Sequence, residues 1–186
     1  RWRGYWLTPI LVSVSIDPRE KPELAKSKRA AYLTALGPER TGKMTDRDWP
    51  FLTGTEENVS AIARAVDENR PLFANDADRR RTAALLVAVA FRESTFRADA
   101  VGDHGRSFCA FQIHRSSGGT PALLEDVDAC ARTGLELLRT SLRVCPSHPI
   151  AWYASGPLGC DNGRAQKISR DRMALAAYLV GQVHGV

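Results

Sequence analysis

The longest regular runs of apolar residues in this chain have the period of an α-helix. From Glu56 onward, apolar side chains recur at the spacing of a single helix face, namely Val59, Ile62, Ala63 and Val66. A second helical segment begins near Asp78 and contains nine consecutive residues, 83–91, without a polar side chain. A helix that is apolar on every side is normally buried. We therefore expect this second helix to lie at the centre of the protein.

Two more helices are predicted in the second half of the chain. Thr120 and Pro121 have the character of an N-cap and a first helical position. They would begin a long helix whose apolar face consists of Leu124, Val127, Ala131, Leu135, Leu138 and Leu142. A last helix is predicted over residues 164–180, and glycines among polar residues at 98–120 indicate loops and a small hairpin. The pattern predicts a mainly α fold of the α+β kind, with a helical lobe around a buried central helix and a small loop and hairpin lobe.

The N-terminal part of the chain differs from the rest. Between residues 5 and 16, valine and isoleucine alternate with serine toward the end of the segment, which indicates a strand or an extended arm. Prolines then precede a short helical stretch at 23–36, and a loop with Gly and Pro follows. The chain of 186 residues suits one compact domain with a sizeable core. We therefore assign residues 1–50 to an N-terminal extension and residues 51–186 to the main domain.

Composition and charge narrow the possible partners. The chain is 44% hydrophobic and 25% charged, which is typical of a folded globular protein, and no apolar stretch is long enough to span a bilayer. Stable membrane insertion is therefore not expected. The net charge of +5 suits an anionic partner, but 10 Lys and Arg against 6 Asp and Glu place +4 of it in residues 1–50. Because basic and aromatic residues do not cluster on one periodic face, no nucleic-acid partner is expected.

Four cysteines lie at wide spacings in the second half of the chain: Cys109, Cys130, Cys145 and Cys160. No Cys-x-x-Cys pair and no nearby pair of histidines accompanies them, so we expect no metal site and no cofactor. An even number at these spacings favours two disulfides and an oxidising compartment, and four buried thiols in a reducing compartment are the alternative. Of the three possible connectivities we favour Cys109 with Cys130 and Cys145 with Cys160.

Glu93 is the candidate for acid–base chemistry that follows from the hydrophobic pattern. It comes two residues after the apolar run 83–91, near the end of the helix that we expect to be most buried. Burial raises the pKa of a carboxyl group, and the negative end of the helix dipole acts in the same direction. A carboxyl group that is still protonated near neutral pH is what glycoside cleavage requires of its acid. The alternative is a structural ion pair with Arg92, Arg97 or another arginine at a solvated helix end.

Three short motifs occur in and after this helix. The first is Phe91-Arg92-Glu93-Ser94. The second runs from Gly105 to Ile113, and its Gln112 follows the stretch Gly102-Asp103-His104-Gly105 by seven residues. The third is Trp152-Tyr153-Ala154-Ser155-Gly156-Pro157. In order and separation they resemble the Glu-Ser, Gly-Leu-Met-Gln and Ala-Tyr-Asn-x-Gly-Pro motifs of lytic transglycosylases and goose-type lysozymes, which belong to the lysozyme-like superfamily.

The resemblance covers residues 83–157 well and does not reach residues 1–50. It implies that the main domain is a lysozyme-like catalytic domain whose two lobes form a glycan cleft. Two positions depart from the family pattern. Ala154 replaces the family's Asn, which puts substrate contact by that side chain in doubt, and Cys109 stands where the family has a small glycine.

The resemblance also implies roles for four side chains. Glu93 would be the general acid, Ser94 would orient it, and Gln112 and Tyr153 would line the glycan cleft. The three supporting residues have structural interpretations as well. Ser94 can cap the helix end, Gln112 can satisfy loop backbone groups, and Tyr153 can be a core residue whose hydroxyl is paired.

The implied activity is cleavage of the β-1,4 bond between N-acetylmuramic acid and N-acetylglucosamine in peptidoglycan. Asp103 matches an aspartate that goose-type lysozymes use to position water and that transglycosylases generally lack, although an Asp between glycines is also a good turn residue. His114 stands where goose-type enzymes offer another aspartate. We therefore favour a muramidase with Glu93 and Asp103 as catalytic residues. The alternatives are a lytic transglycosylase that forms 1,6-anhydro ends and a glycan-binding module without catalysis. The partner would be peptidoglycan, and the protein would be a monomer that is secreted, periplasmic or in the cell envelope.

Overall fold

The computed structural model of this protein describes residues 13–14, 51–52, 56–73 and 78–182. The chain divides into two units, one from Arg1 to Thr53 and one from Gly54 to Val186. In the first unit, strand β1 (Ser13–Val14) pairs in parallel with strand β2 (Phe51–Leu52). Strand β1 lies inside the segment where alternation predicts a strand or extended arm. The rest of that segment and the helix predicted at 23–36 lie outside the described residues.

The second unit is mainly helical, as the periodicity predicts. Its described helices are α1 (Glu56–Glu68), α2 (Asp78–Ser94), α3 (Val127–Val144), α4 (Ala151–Ser155) and α5 (Gly163–Gln182). Three short strands, β3 (Val101–Gly102), β4 (Ser107–Phe108) and β5 (Ile113–His114), form an antiparallel sheet in the order β3-β4-β5. This sheet is the small hairpin lobe expected within residues 98–120.

Helix α2 is the central element of this unit. It packs against α5, α1 and α3, and its residues Leu86 and Val89 are fully buried. Burial of a leucine side chain contributes about 1.5–3 kcal/mol to folding. Thr95 and Phe96 then have positive φ angles of 57° and 61°, which ends the helix. The prediction of a buried central helix is confirmed, and core packing therefore determines where the end of α2, with Glu93, lies.

The predicted start of the third long helix is wrong. Residues Pro121–Leu124 form a separate 3-10 turn, and Thr120 makes no side-chain cap there. Helix α3 begins at Val127, because the Asp126 carboxylate accepts a hydrogen bond of 2.8 Å from the backbone N–H of Ala129. An N-cap carboxylate satisfies an otherwise unpaired N–H and interacts favourably with the helix dipole. The short helix α4, within the third motif, was not predicted.

Both disulfides favoured from the sequence are present. Cys109 bonds to Cys130, and Cys145 bonds to Cys160. The first disulfide joins the loop after β4 to α3, and the second joins the end of α3 to the segment after α4. Helix α3 is therefore the common anchor for the two parts of the chain that carry the second and third motifs.

Helix α3 contacts the small lobe closely at Gly134. A Cβ atom at this position would lie 2.7 Å from a ring carbon of Phe111, whose side chain is buried. Alanine normally stabilises a helix relative to glycine, but here the added methyl group has no space. We expect Gly134→Ala to lower the free energy of unfolding by about 1–3 kcal/mol, measured by urea denaturation. The matched control is Gly163→Ala in α5, where nothing lies within 4 Å of the added Cβ. Equal stability of the two variants would contradict the close packing.

Candidate active site

The end of α2, the small sheet and helix α4 surround a cleft of about 460 Å³. Its lining residues are Glu93, Asp103, Ser107, Gln112, His114, Ser116, Ser117, Tyr153, Ala154, Ser155, Gly156 and Pro157. We call the group from Asp103 to Ser117 the sheet wall and the group from Tyr153 to Pro157 the helix wall. Glu93, Asp103, Gln112 and Tyr153, four of the residues put forward by the motifs, are thus brought into one cleft.

Glu93 is largely buried at the end of α2, with 18% of its side chain exposed. Burial raises the pKa of this carboxyl group above its usual value of 4.5, because the charged form loses hydration. Arg172 opposes the increase by its positive charge and its hydrogen bond, whereas the negative charge of Asp103 adds to it. The pKa is raised on balance, in the direction that a general acid requires.

Arg172 is the direct partner of Glu93. Its Nη2 atom donates a hydrogen bond of 2.6 Å to Oε1 of Glu93, and its side chain is 10% exposed. This contact joins the middle of α5 to the end of α2. The carboxyl group is therefore paired with an arginine, but inside the protein rather than at a solvated helix end. Arg92 and Arg97 are both exposed, and within the described structure neither bonds to Glu93.

Arg172 was missed from the sequence, although the sequence contains a signal for it. The buried face of α5 includes residues spaced alternately by four and three, namely Ala165, Ser169, Arg172, Ala176 and Leu179, with Leu175 buried beside them. Every other buried residue of this face is small or apolar. A charged side chain at such a position needs a partner inside the protein, because an unpaired buried charge is strongly unfavourable. The Nε atom of Arg172 is also buried and has no hydrogen-bond partner among the described residues.

Asp103 lies in the turn that connects β3 to β4. Its φ angle is 49°, and the next residue, His104, also has a positive φ of 56°. Its Oδ2 atom accepts a hydrogen bond from the hydroxyl of Ser107 on β4. Asp103 is therefore both a turn residue and a carboxylate on the sheet wall of the cleft, and its charge acts on Glu93.

Gln112 lies in the cleft and also pairs with backbone groups of the neighbouring loops. It lines the cleft, and its Nε2 atom donates hydrogen bonds of 3.1 Å to the backbone carbonyls of Ala100 and Cys109. Its Oε1 atom lies where a Cβ of Gly102 would be, since the two would be 2.1 Å apart. The amide nitrogen is therefore occupied by the protein backbone, and Gly102 leaves the space that this arrangement needs.

Tyr153 lines the helix wall with its hydroxyl already paired. The hydroxyl donates to the backbone carbonyl of Phe111, and the backbone N–H of Tyr153 donates to the Ser141 hydroxyl at 3.0 Å. Burial raises the pKa of Tyr153 well above its usual value, and the nearby charge of Glu93 adds to this. The hydroxyl therefore stays protonated. Ala154, where the family has Asn, lies in the cleft and cannot form a side-chain hydrogen bond there.

Ser94 makes contacts that suit a structural role. Its hydroxyl donates to the backbone carbonyl of Ala110 at 2.8 Å and accepts from the backbone N–H of Arg97 at 3.0 Å. It thus caps the end of α2 and ties it to the loop after β4. Among the described residues, Ser94 is not part of the cleft lining, and the role of orienting Glu93 stays a prediction.

Within the described part of the chain, no group of three or more His, Cys, Asp or Glu side chains is arranged to hold a metal ion. None of the helices in the same ranges is both long enough and apolar enough to cross a membrane.

Comparison of the chain with known proteins identified no relative. Neither a protein-family model, nor a curated protein, nor a solved structure matches the chain. A functional conclusion therefore depends on the geometry of the cleft and on the motifs in the sequence.

Proposed function

We propose that this protein is a peptidoglycan glycosidase of the lysozyme-like kind. It would hydrolyse the β-1,4 bond between N-acetylmuramic acid and N-acetylglucosamine, with Glu93 as general acid. The observation that carries the proposal is a buried carboxyl group of raised pKa that lines a cleft together with a second carboxylate, Asp103. The motifs that resemble lytic transglycosylases and goose-type lysozymes contribute the residues of this cleft.

The acid step follows from the surroundings of Glu93. Arg172 bonds to Oε1, and no described residue forms a hydrogen bond with Oε2. Oε2 is therefore the oxygen that can carry the proton to the departing sugar oxygen. A sugar oxygen leaves poorly without that proton, so a carboxyl group protonated near neutral pH lowers the barrier.

In this mechanism we assign the role of base to Asp103, which lines the same cleft. Its Oδ2 atom is bonded to Ser107, which fixes the carboxylate and leaves Oδ1 to accept a proton from water. In an inverting glycosidase, a carboxylate on the opposite side of the sugar activates that water. The hydrolysis reaction then transfers one proton from Glu93 to the leaving oxygen and one proton from water to Asp103.

Other features of the chain agree with this assignment. Two disulfides suit an oxidising compartment, so we propose that the protein acts outside the cytosol, as a secreted, periplasmic or cell-envelope enzyme. The cleft size is within the range of about 300–1,000 Å³ common for ligand sites. Peptidoglycan strands are the proposed partner, and the protein is proposed to act as a monomer.

A second candidate is a glycan-binding module without catalysis. The ion pair with Arg172 favours it, because that arginine stabilises the charged form of Glu93, which cannot donate a proton. A third candidate, the lytic transglycosylase, would use the sugar's own 6-hydroxyl instead of a water held by Asp103.

Analysis of digestion products in water enriched with ¹⁸O separates the three candidates. Hydrolysis is expected to give reducing N-acetylmuramic ends that carry one ¹⁸O atom, because the attacking oxygen comes from solvent. Transglycosylation would give 1,6-anhydro ends without ¹⁸O. Binding of peptidoglycan with no release of soluble fragments would identify a binding module, and the absence of both binding and release would contradict the proposed function as a whole.

A further inference from the structure

His114 is a cleft residue to which the proposed mechanism assigns no role. It lies at the end of β5 on the sheet wall. Its Nδ1 atom accepts a hydrogen bond of 3.2 Å from the backbone N–H of Ser116 and lies 2.8 Å from the Ser116 hydroxyl. The ring thereby caps the 3-10 turn Arg115–Ser117 that follows β5.

The bond to Nδ1 determines what the other side of the ring offers. A backbone N–H can only donate, so Nδ1 must be the acceptor, and the proton of the neutral ring then lies on Nε2. No described residue forms a hydrogen bond with Nε2 of His114. The imidazole of this cleft residue therefore keeps one N–H donor, on Nε2, that no described residue uses.

Three neighbouring side chains of the cleft have donors that are already occupied. The hydroxyl of Ser107 donates to Asp103, and the amide nitrogen of Gln112 donates to two backbone carbonyls. On the helix wall, the Tyr153 hydroxyl donates to Phe111. Among these described cleft groups, Nε2 of His114 is the nitrogen donor that remains for a bound molecule.

We propose that Nε2 of His114 binds an acyl oxygen of the glycan and makes the cleft selective for acylated sugars. This inference rests on the proposed function. Amide carbonyl and carboxylate oxygens are strong acceptors, and peptidoglycan sugars offer both, in the acetamido group and in the lactyl group of muramic acid. A deacetylated amino sugar offers an ammonium group instead, which can only donate. The capping bond at Nδ1 keeps Nε2 of His114 as a donor, and a donor cannot form a hydrogen bond with an ammonium group.

Two amide substitutions separate the donor role from the capping role. Asparagine at position 114 can accept from the Ser116 N–H as Nδ1 does, but it does not reach the position of Nε2. Glutamine reaches the position of Nε2 with an N–H donor and loses the cap. Both are made in the Glu93→Gln background, so that binding is measured without turnover. His148→Asn is the matched control, since His148 lies in the loop before α4 and outside the described cleft lining.

Binding is measured by calorimetry with three probes: a hexamer of N-acetylglucosamine, the same hexamer fully deacetylated, and peptide-free peptidoglycan strands. We expect the Glu93→Gln protein, which is the parent of these variants, to bind the acylated probes and not the deacetylated one. His114→Asn should weaken binding about 2- to 10-fold if the acceptor is an acetamido carbonyl and about 10- to 100-fold if it is a carboxylate. If the acceptor is an acetamido group, His114→Asn should weaken binding of both acylated probes. If the acceptor is the lactyl group, it should weaken binding of the peptidoglycan strands alone. His114→Gln should retain binding.

Two results would overturn the inference. The first is unchanged binding of all probes in His114→Asn; if His114→Gln loses binding at the same time, His114 is assigned to capping. The second is binding of the deacetylated hexamer as tightly as both acylated probes. If the parent binds none of the three probes, the proposed function fails and this inference fails with it.

Discussion

Replacement of Glu93 by glutamine should reduce release of soluble peptidoglycan fragments by about 10²–10⁴-fold, the usual contribution of a general acid. Glutamine has the shape of the acid but no proton of comparable acidity to donate. Its Oε1 atom can still accept from Arg172, so the fold and the affinity for the glycan should be retained. The measurements are clearance of a cell-wall suspension for activity, circular dichroism for folding, and pulldown with insoluble peptidoglycan for binding.

Glu125→Gln is the matched control for this experiment. Glu125 is exposed just before α3 and outside the described cleft lining, so the same chemical change there should leave clearance unaffected. Clearance by Glu93→Gln at the rate of the parent would exclude Glu93 as the acid. Loss of pulldown along with clearance would instead assign Glu93 to binding.

Arg172→Met should move the high-pH limb of the activity profile toward higher pH. Arg172 lowers the pKa of Glu93 through its charge and its hydrogen bond, so the pKa of Glu93 rises when both are removed. The acid then stays protonated at higher pH. The profile of kcat/KM against pH reports this pKa in the free enzyme. A loss of activity at every pH, without movement of the limb, would show that Arg172 acts by holding the side chain in place and not by tuning its charge.

The same substitution should also destabilise the protein, by about 3 kcal/mol near pH 7. The size of the effect depends on pH, because the pKa of Glu93 is higher in the folded state than in the unfolded state. Folding is therefore linked to proton uptake, so the stability from this group is present below the unfolded value near 4.5 and is lost as pH rises through the folded pKa. Without Arg172 the pKa of Glu93 in the folded state is higher still, so the variant loses more of its free energy of unfolding at neutral pH than the parent does. Urea unfolding at pH 4 and pH 7 should show a smaller difference between variant and parent at pH 4.

Arg170→Met is the matched control for both experiments on Arg172. Arg170 is exposed on the same helix, two residues away, and makes no ion pair with a described residue. The pH profile of Arg170→Met should match that of the parent, and its free energy of unfolding should differ by no more than about 0.5 kcal/mol. A difference between Arg172→Met and the parent that is the same at pH 4 and pH 7 would contradict the linkage to Glu93.

Two opposing effects act on the carboxyl group of Glu93 in the folded protein. Burial raises the pKa of Glu93, which keeps the carboxyl group protonated to higher pH, and Arg172 limits that increase. A buried carboxyl group with no cation beside it would remain protonated but would lose a fixed orientation. Arg172 therefore holds Oε1 of Glu93, and no described residue forms a hydrogen bond with Oε2.

The sequence by itself predicted the four long helices of the second unit, the burial of α2 and the position of Glu93 near its end, and it favoured the observed pairing of the cysteines among three possibilities. These features are local or are linked by short separations: 21 residues for Cys109–Cys130 and 15 for Cys145–Cys160. Periodicity reports which side of a helix is apolar, so it identifies a buried helix without reference to its neighbours. Periodicity did not predict the start of α3 correctly. Thr120 makes no side-chain cap, and the carboxylate of Asp126 caps the helix instead.

Only the tertiary structure decided which residues meet Glu93. Arg172 is 79 positions away along the chain, and the contact depends on how α5 packs against α2, which periodicity does not specify. The same applies to Ser94 and Gln112, whose polar groups are paired with backbone carbonyls of other segments. The burial of Glu93 could be predicted because it follows from the apolar pattern of its own helix, α2. Its ion pair with Arg172 could not, because that contact depends on how α5 packs against α2.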